Sequence, residues 1–206
     1  NRRPRTPPER GPGRRQRHPA LQRWSSGLAG LLLLGAIAVG ARGEARLQLG
    51  LPIACDLQAR CFIQNYVDRD PDGPALDYHC GHLTYHRHTG TYFALPDLPS
   101  MREGIAVLAA AAGTVRASRD GMPDISFRDA KAPALKGREC GNGVAISHGG
   151  GWETQYCHLR RGSLRVRAGQ QVVAGAVLGL VGMSGEAEFP HVHLTVRHNG
   201  QVIDPF

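Results

Sequence analysis

Punctuation constrains this chain more than any other feature. Beyond its first 46 residues, short β-rich runs are cut by Gly, Pro and Asp, and no long stretch carries a helical period of apolar residues. A 206-residue chain with 27 Gly and 14 Pro, broken up in this way, has to build its core from strands. Strands are expected over residues 105–110, 113–116, 144–147, 154–158, 171–173, 178–181 and 191–197. The segment 121–141, with Pro123 and Pro133, reads as a loop inserted between two of them. The expected fold class is all-β.

The length suits one domain of ordinary size plus a tail. The net charge of +8 suggests nucleic acid only until it is located. Residues 1–46 hold ten Arg against two acids, and from residue 47 onward bases and acids balance. The excess belongs to the tail, so no nucleic-acid partner is expected. In that tail an Arg-rich start leads into an uncharged stretch, Trp24 to Ala41, with an apolar centre at Leu28 to Val39. This reads as a secretory signal, because a spanning helix needs about 20 apolar residues. An uncleaved membrane anchor with its Arg-rich end in the cytoplasm satisfies the same pattern. Both place the rest of the chain outside the cytoplasm, in the periplasm or cell envelope, with membrane contact only through this segment if it stays uncleaved.

The five cysteines suit an oxidising compartment. Strand signals on either side of Gly149, Gly150 and Gly151 make a hairpin, and folding the chain about that turn sets Cys140 opposite Cys157, within disulfide reach. Cys55 and Cys61 pair by proximity, although Cys80 stands as an alternative partner. The acidic, turn-rich stretch from Leu51 to Tyr85 looks like a disulfide-tied leader. Its Asp68, Asp70 and Asp72 lack the glycine and distal glutamate of a calcium loop in register, and read as solvated turn.

Three histidine-bearing segments carry the chemistry. In Pro190-His191-Val192-His193-Leu194-Thr195-Val196, alternation puts His191, His193 and Thr195 on one face of a strand and the three apolar residues on the other. Imidazole is a common zinc ligand, but His-x-His alone is a weak signal. The second segment is Tyr156-Cys157-His158-Leu159, at the end of the glycine hairpin. The third is His88-Thr89-Gly90-Thr91-Tyr92.

In this order the segments resemble the lysostaphin-type, or LytM-like, zinc metallopeptidases, whose pattern is His-x-Gly-x-Asp, a glycine-turn hairpin ending in Tyr-x-His-Leu, and His-x-His. Gly169 to Gly182 resembles the family's glycine-spaced hairpin, and Asn199, Gly200, Asp204 and Pro205 match its terminus. The resemblance covers residues 85–206, leaving 1–46 as signal or anchor and 47–84 as leader. It implies a β-sandwich of the duplicated-hybrid type with its histidines on the floor of a groove open at both ends. It also implies one Zn2+ per chain, bound by His88 and His193, with His158 and His191 serving the reaction. The metal would acidify its water, and one imidazole would take the water proton while the other stabilises the oxyanion or protonates the leaving amine. The implied activity is hydrolysis of peptide cross-links in bacterial peptidoglycan, and the implied partner is peptidoglycan peptide.

The departure is Tyr92, which stands where the family has its ligand Asp. A phenol is longer than a carboxylate and neutral at ordinary pH, so the swap should weaken zinc. Three outcomes follow: Tyr92 binds as phenolate, another group substitutes, or the site is vestigial. His86 is the best substitute, since it would share a strand face with His88, whereas Asp97 sits too far along the chain. The competing function is therefore a catalytically degenerate module that binds wall peptide or regulates a cell-wall hydrolase partner. A lipoyl-type carrier is disfavoured because the turn at Val173-Ala174-Gly175 has no lysine, and Ser184 lacks the strand-to-helix elbow of a serine hydrolase.

Overall fold

The computed structural model describes residues 47–206, and the signal or anchor reading of residues 1–46 falls outside them. Ten strands and one short helix follow in order: β1 Phe62–Asn65, β2 Thr91–Ala94, α1 Leu98–Glu103, β3 Ala106–Leu108, β4 Gly113–Arg119, β5 Asn142–Gly149, β6 Trp152–Leu159, β7 Gln171–Val172, β8 Val177–Leu180, β9 His191–His198 and β10 Gln201–Ile203. The all-β expectation holds, and each of the seven expected strands has its counterpart. β1, β2, β10 and α1 were not expected. They are short elements of three to six residues, defined by their neighbours rather than by their own periodicity.

One antiparallel sheet runs β1-β2-β9-β6-β5-β4-β7, with β10 also pairing β9, and a second sheet consists of β3 and β8. The core brings the two together: Val107 and Leu178 from the small sheet join Val115, Ile146, Tyr156, Val192, Leu194 and Val196 from the large one. Alternation along β9 is as expected, with Val192, Leu194 and Val196 buried in that core. Every apolar side chain on that face commits its neighbours to the opposite one. The opposite face of the large sheet therefore collects His191, His193, Thr195 and Arg197 from β9.

Tyr156 ties β6 to the connection between β3 and β4. Its fully buried hydroxyl accepts from the Ala110 amide at 2.8 Å and from the Thr154 hydroxyl at 3.0 Å. Both expected disulfides form, Cys55–Cys61 and Cys140–Cys157, and Cys80 is free and exposed.

Asp68 and Asp77 are not solvated turn residues. They are buried acceptors around which the segment 66–88 is wound. The Asp68 carboxylate takes the amides of Arg87 (2.7 Å), Asp70 (3.1 Å) and Leu76 (3.2 Å), and Asp77 takes those of His79, Gly81 and Leu83. The charge pattern concealed this, because a carboxylate satisfied by backbone amides looks the same in sequence as one facing water. Burial alone would raise the Asp68 pKa, but the three amides outweigh it and hold the carboxyl below the usual range.

Two predictions follow from these contacts. Tyr156→Phe strands the buried Ala110 amide, while the Thr154 hydroxyl keeps His148 Nε2 at 2.8 Å, and should lower unfolding free energy by about 1–3 kcal/mol in urea without changing the m-value. A depressed folded pKa means that Asp68 stabilises the fold above its unfolded pKa of about 4, and that this stability disappears as pH falls through the folded value. The gap in urea midpoint between wild type and Asp68→Asn should thus be wide at pH 7 and close as acidification carries Asp68 through its lowered folded pKa.

Candidate functional site

The chain places all five expected site residues around one groove. The cavity is about 730 Å3, and its lining includes His88, Tyr92, His158, His191 and His193. The means of delivery differ. His191 and His193 stand on β9, whose register with β2 sets Tyr92 opposite His193 and Ala94 opposite His191. On the other side of β9, β6 pairs Cys157 with His193.

His158 reaches the groove by breaking a rule. Strict alternation in β6 would send it to the core face with Tyr156. Its backbone is instead left-handed, at φ 65°, and the β5–β6 register slips between Asn142 and Val144, so Cys157 and His158 both line the groove. The amide of His158 donates to the Cys140 carbonyl at 2.9 Å, beside the disulfide that joins Cys140 to Cys157. Nothing in the residue alternation announces this bulge.

His88 precedes β2 on a turn that begins at Tyr85, with Arg87 left-handed at φ 61°. Residues 85–90 are therefore not strand. His86 is exposed on that turn and is not part of the groove lining, so it does not share a face with His88 as the sequence suggested. Asp97 is far along, capping α1 by accepting the Ser100 amide at 2.8 Å. Gly90 is required by packing, since a methyl group there would overlap the His193 ring and the Leu194 carbonyl.

Three of the imidazoles have an imposed tautomer. Nδ1–H of His88 donates to the Tyr66 carbonyl at 2.7 Å, that of His158 to Ser184 at 2.8 Å, and that of His191 to Phe189 at 2.9 Å. Carbonyl oxygens only accept, so Nε2 of each ring keeps its lone pair. The fourth ring, His193, meets the Thr195 hydroxyl through Nε2 at 3.0 Å. Burial pushes His88 and His158 down to about 4, while burial followed by neighbouring imidazoles holds His191 and His193 well below the usual range. All four are neutral at pH 7. Nε2 of His88 and of His191 is buried with no hydrogen-bond partner.

Tyr92 sits among these rings. Its ring centre lies 4.1 Å from that of His191, 4.5 Å from His88 and 5.1 Å from His193. The hydroxyl points away to the Tyr85 hydroxyl, 2.6 Å distant, and Tyr85 stacks on His88 with centres 4.3 Å apart. Burial first, then Tyr85, holds the Tyr92 phenol above its ordinary value, so it is not a phenolate.

These residues do not fit a zinc ion as they stand. A catalytic zinc takes three protein ligands at about 2.0–2.3 Å. Among the described residues no group of three or more His, Cys, Asp or Glu is arranged to hold a metal. The volume that a cation shared by His88 and His193 would need is bordered by an aromatic ring. Of the two expected ligands only His88 keeps an unpartnered Nε2, since that of His193 meets the Thr195 hydroxyl at 3.0 Å, and Tyr92 brings no carboxylate beside them.

A profile of Peptidase family M23 matches residues 86–205. The DD-carboxypeptidase/endopeptidase Mpg of Neisseria meningitidis serogroup B is 37% identical over 123 residues, covering 59% of this chain and 23% of that protein. The cell division protein DipM of Caulobacter vibrioides is 30% identical over 112 residues, covering 54% of this chain and 17% of that one. The chain thus spans less than a quarter of the length of these curated relatives. Among solved structures, a chain of the SpoIIIAH and SpoIIQ complex superposes with a TM-score of 0.53 at 19% identity, over 76% of this chain and 96% of that chain, which is a likeness of fold. The match takes in every strand of the large sheet but β1, and the chain belongs to peptidase family M23, the family of lysostaphin-type peptidases that its motif order resembles.

Proposed function

We propose that this domain binds the peptide cross-links of peptidoglycan in the histidine-floored groove, outside the cytoplasm, and that Tyr92 suspends the zinc-dependent hydrolysis of the family. The observation that carries this reading is the position of the Tyr92 ring, packed against three imidazoles with its neutral hydroxyl engaged by Tyr85. Membership of family M23 supports the choice of ligand, as do the endopeptidase relatives. A groove about 730 Å3 in volume, with a sheet for its floor, has the dimensions for an extended peptide segment. Two disulfides in the folded domain suit the oxidising side of a membrane, in line with the periplasm or cell envelope.

In this reading the residues have binding roles. His158 offers an acceptor from an orientation enforced by its left-handed backbone and the Ser184 carbonyl. Arg197, on the same face of β9, is held by the Gln155 side chain at 2.9 Å and faces Glu153 at 3.6 Å, which bounds the groove at that end. Burial of His191 and His193 keeps them uncharged, so the floor accepts hydrogen bonds without repelling the amides of a peptide.

A second reading keeps the zinc metalloendopeptidase, with His88 and His193 as metal ligands and His158 and His191 in the reaction. The inward lone pairs of His88 and His191 favour it, because a binding surface gains nothing from burying unpartnered acceptors.

Metal analysis and peptidoglycan digestion separate the two. Wild type purified and dialysed with zinc should hold far less than one equivalent and release no peptide from purified peptidoglycan. Tyr92→Asp should take up about one zinc per chain and release peptides, since it restores a charged oxygen ligand. Stoichiometric zinc and release by the wild type would replace the first reading with the second.

A further inference from the structure

We propose that the peptide held in the groove presents a carboxylate to Arg197, four residues along β9 from His193, so that the site takes peptides with a free acid in preference to fully amidated ones. The inference rests on the peptide-binding reading above and names the group by which the ligand is held.

Register delivers the side chains of this seat to one face. β6 pairs with β9 so that Glu153 stands opposite Arg197, Gln155 opposite Thr195 and Cys157 opposite His193. Directly paired residues share a face, so this ladder leads from Arg197 past Thr195 to the imidazole floor. Arg197, Gln155, Thr195 and His193 all line the groove. The Arg197 side chain is 27% exposed, which leaves it within reach of a ligand.

The charges in this row do not cancel. Glu153 is shared by two guanidinium groups, because Arg116 reaches it from β4 across the intervening β5. Nε of Arg116 lies 2.6 Å from Oε2 of Glu153, whereas Nη1 of Arg197 lies 3.6 Å from Oε1. The first is a close ion pair, and the second is too long for a hydrogen bond. Among the described residues the side chain of Arg197 donates only to the neutral Gln155 amide, at 2.9 Å. Two cations thus face one anion, and most of the five N–H donors of Arg197 are unspent. A planar fork of donors with a surplus positive charge is matched by a carboxylate, which takes two parallel N–H bonds at once.

The remaining charges of the groove direct an acid to the same place. Arg87 is paired with Asp72 and Arg128 with Glu188. Glu139 and Glu186 belong to another stretch of the lining, where the Glu186 amide donates to the Glu139 carbonyl at 2.7 Å, and neither forms an ion pair among the described residues. Their carboxylates repel an acidic group, so Arg197 is the end that attracts it. Four residues of strand span about 13 Å, so a peptide extended along β9 carries its acid about four residues from the group that lies over His193.

The test uses the full chain and synthetic copies of soluble peptides released from purified peptidoglycan, with affinities measured by calorimetry. The copies are free acids, amidated at the terminus alone, amidated at side-chain carboxyls alone, or fully amidated. Wild type should bind the free acids about tenfold more tightly than the fully amidated forms. Whichever partly amidated form keeps the tight binding identifies the seated group as a terminal or a side-chain carboxylate. Arg197→Gln should bring the ratio of free to amidated affinity close to one, and Glu153→Gln should widen it severalfold by removing the competing carboxylate. Equal affinity of wild type for free and amidated peptides would remove the seat while leaving the groove standing, whereas failure of every form to bind would remove both. A ratio that survives Arg197→Gln, or one that does not widen in Glu153→Gln, would overturn the assignment.

Discussion

The pairing of β9 with β2 on one edge and β6 on the other is the constraint on which the site depends. With the apolar side chains of β9 sealed into the core, His191 and His193 have only one direction left. The two neighbouring strands then bring Tyr92 and Cys157 level with His193 on that same face. A slip of one residue in either ladder would turn the alternating residues inside out, burying imidazoles in hydrocarbon and exposing valines. The hydrophobic contrast across β9 therefore does more than stabilise the sheet, because it fixes the aim of the site.

Around this frame the groove is kept in shape by contacts that look expensive taken singly. His158 holds a left-handed backbone, Gly141 and Gly185 press on each other and on Ser184 with no room for a side chain, and the Ser184 hydroxyl donates to the Leu159 carbonyl while accepting the Asn142 amide. The disulfide between Cys140 and Cys157 closes this brace where the long 121–141 insertion returns to the sheet. Such strain persists only when surroundings overdetermine it, and it gathers here beside the one side chain that alternation would have buried. The same surroundings leave the Nε2 atoms of His88 and His191 buried without a protein partner.

Much of this was legible in the residues. Glycine and proline punctuation identified a β domain, the spacing around Gly149 to Gly151 paired Cys140 with Cys157, and the order of the histidine segments pointed to the family. Other features had no local signature. Neighbouring strands define β2, paired on both sides, and β10, paired with β9 alone, so short runs such as Thr91–Ala94 could not be assigned from their own period. His86 looked like a substitute ligand only while residues 85–90 were taken as strand, and the turn centred on Arg87 removes it. Asp68 looked solvated because charge in a sequence does not reveal how many backbone amides surround it.

The residue order by itself determined the β class, the family and the four imidazoles, because alternation and motif spacing are local properties that survive without a fold. It also revealed that position 92 carries a phenol where a carboxylate belongs. Only the tertiary structure decided what that phenol does: its ring packs among three imidazoles brought from two separate segments, and its hydroxyl turns to Tyr85. Whether a side chain completes a metal site or obstructs it depends on distances of a few ångströms between residues about a hundred positions apart in sequence, and no local pattern encodes them.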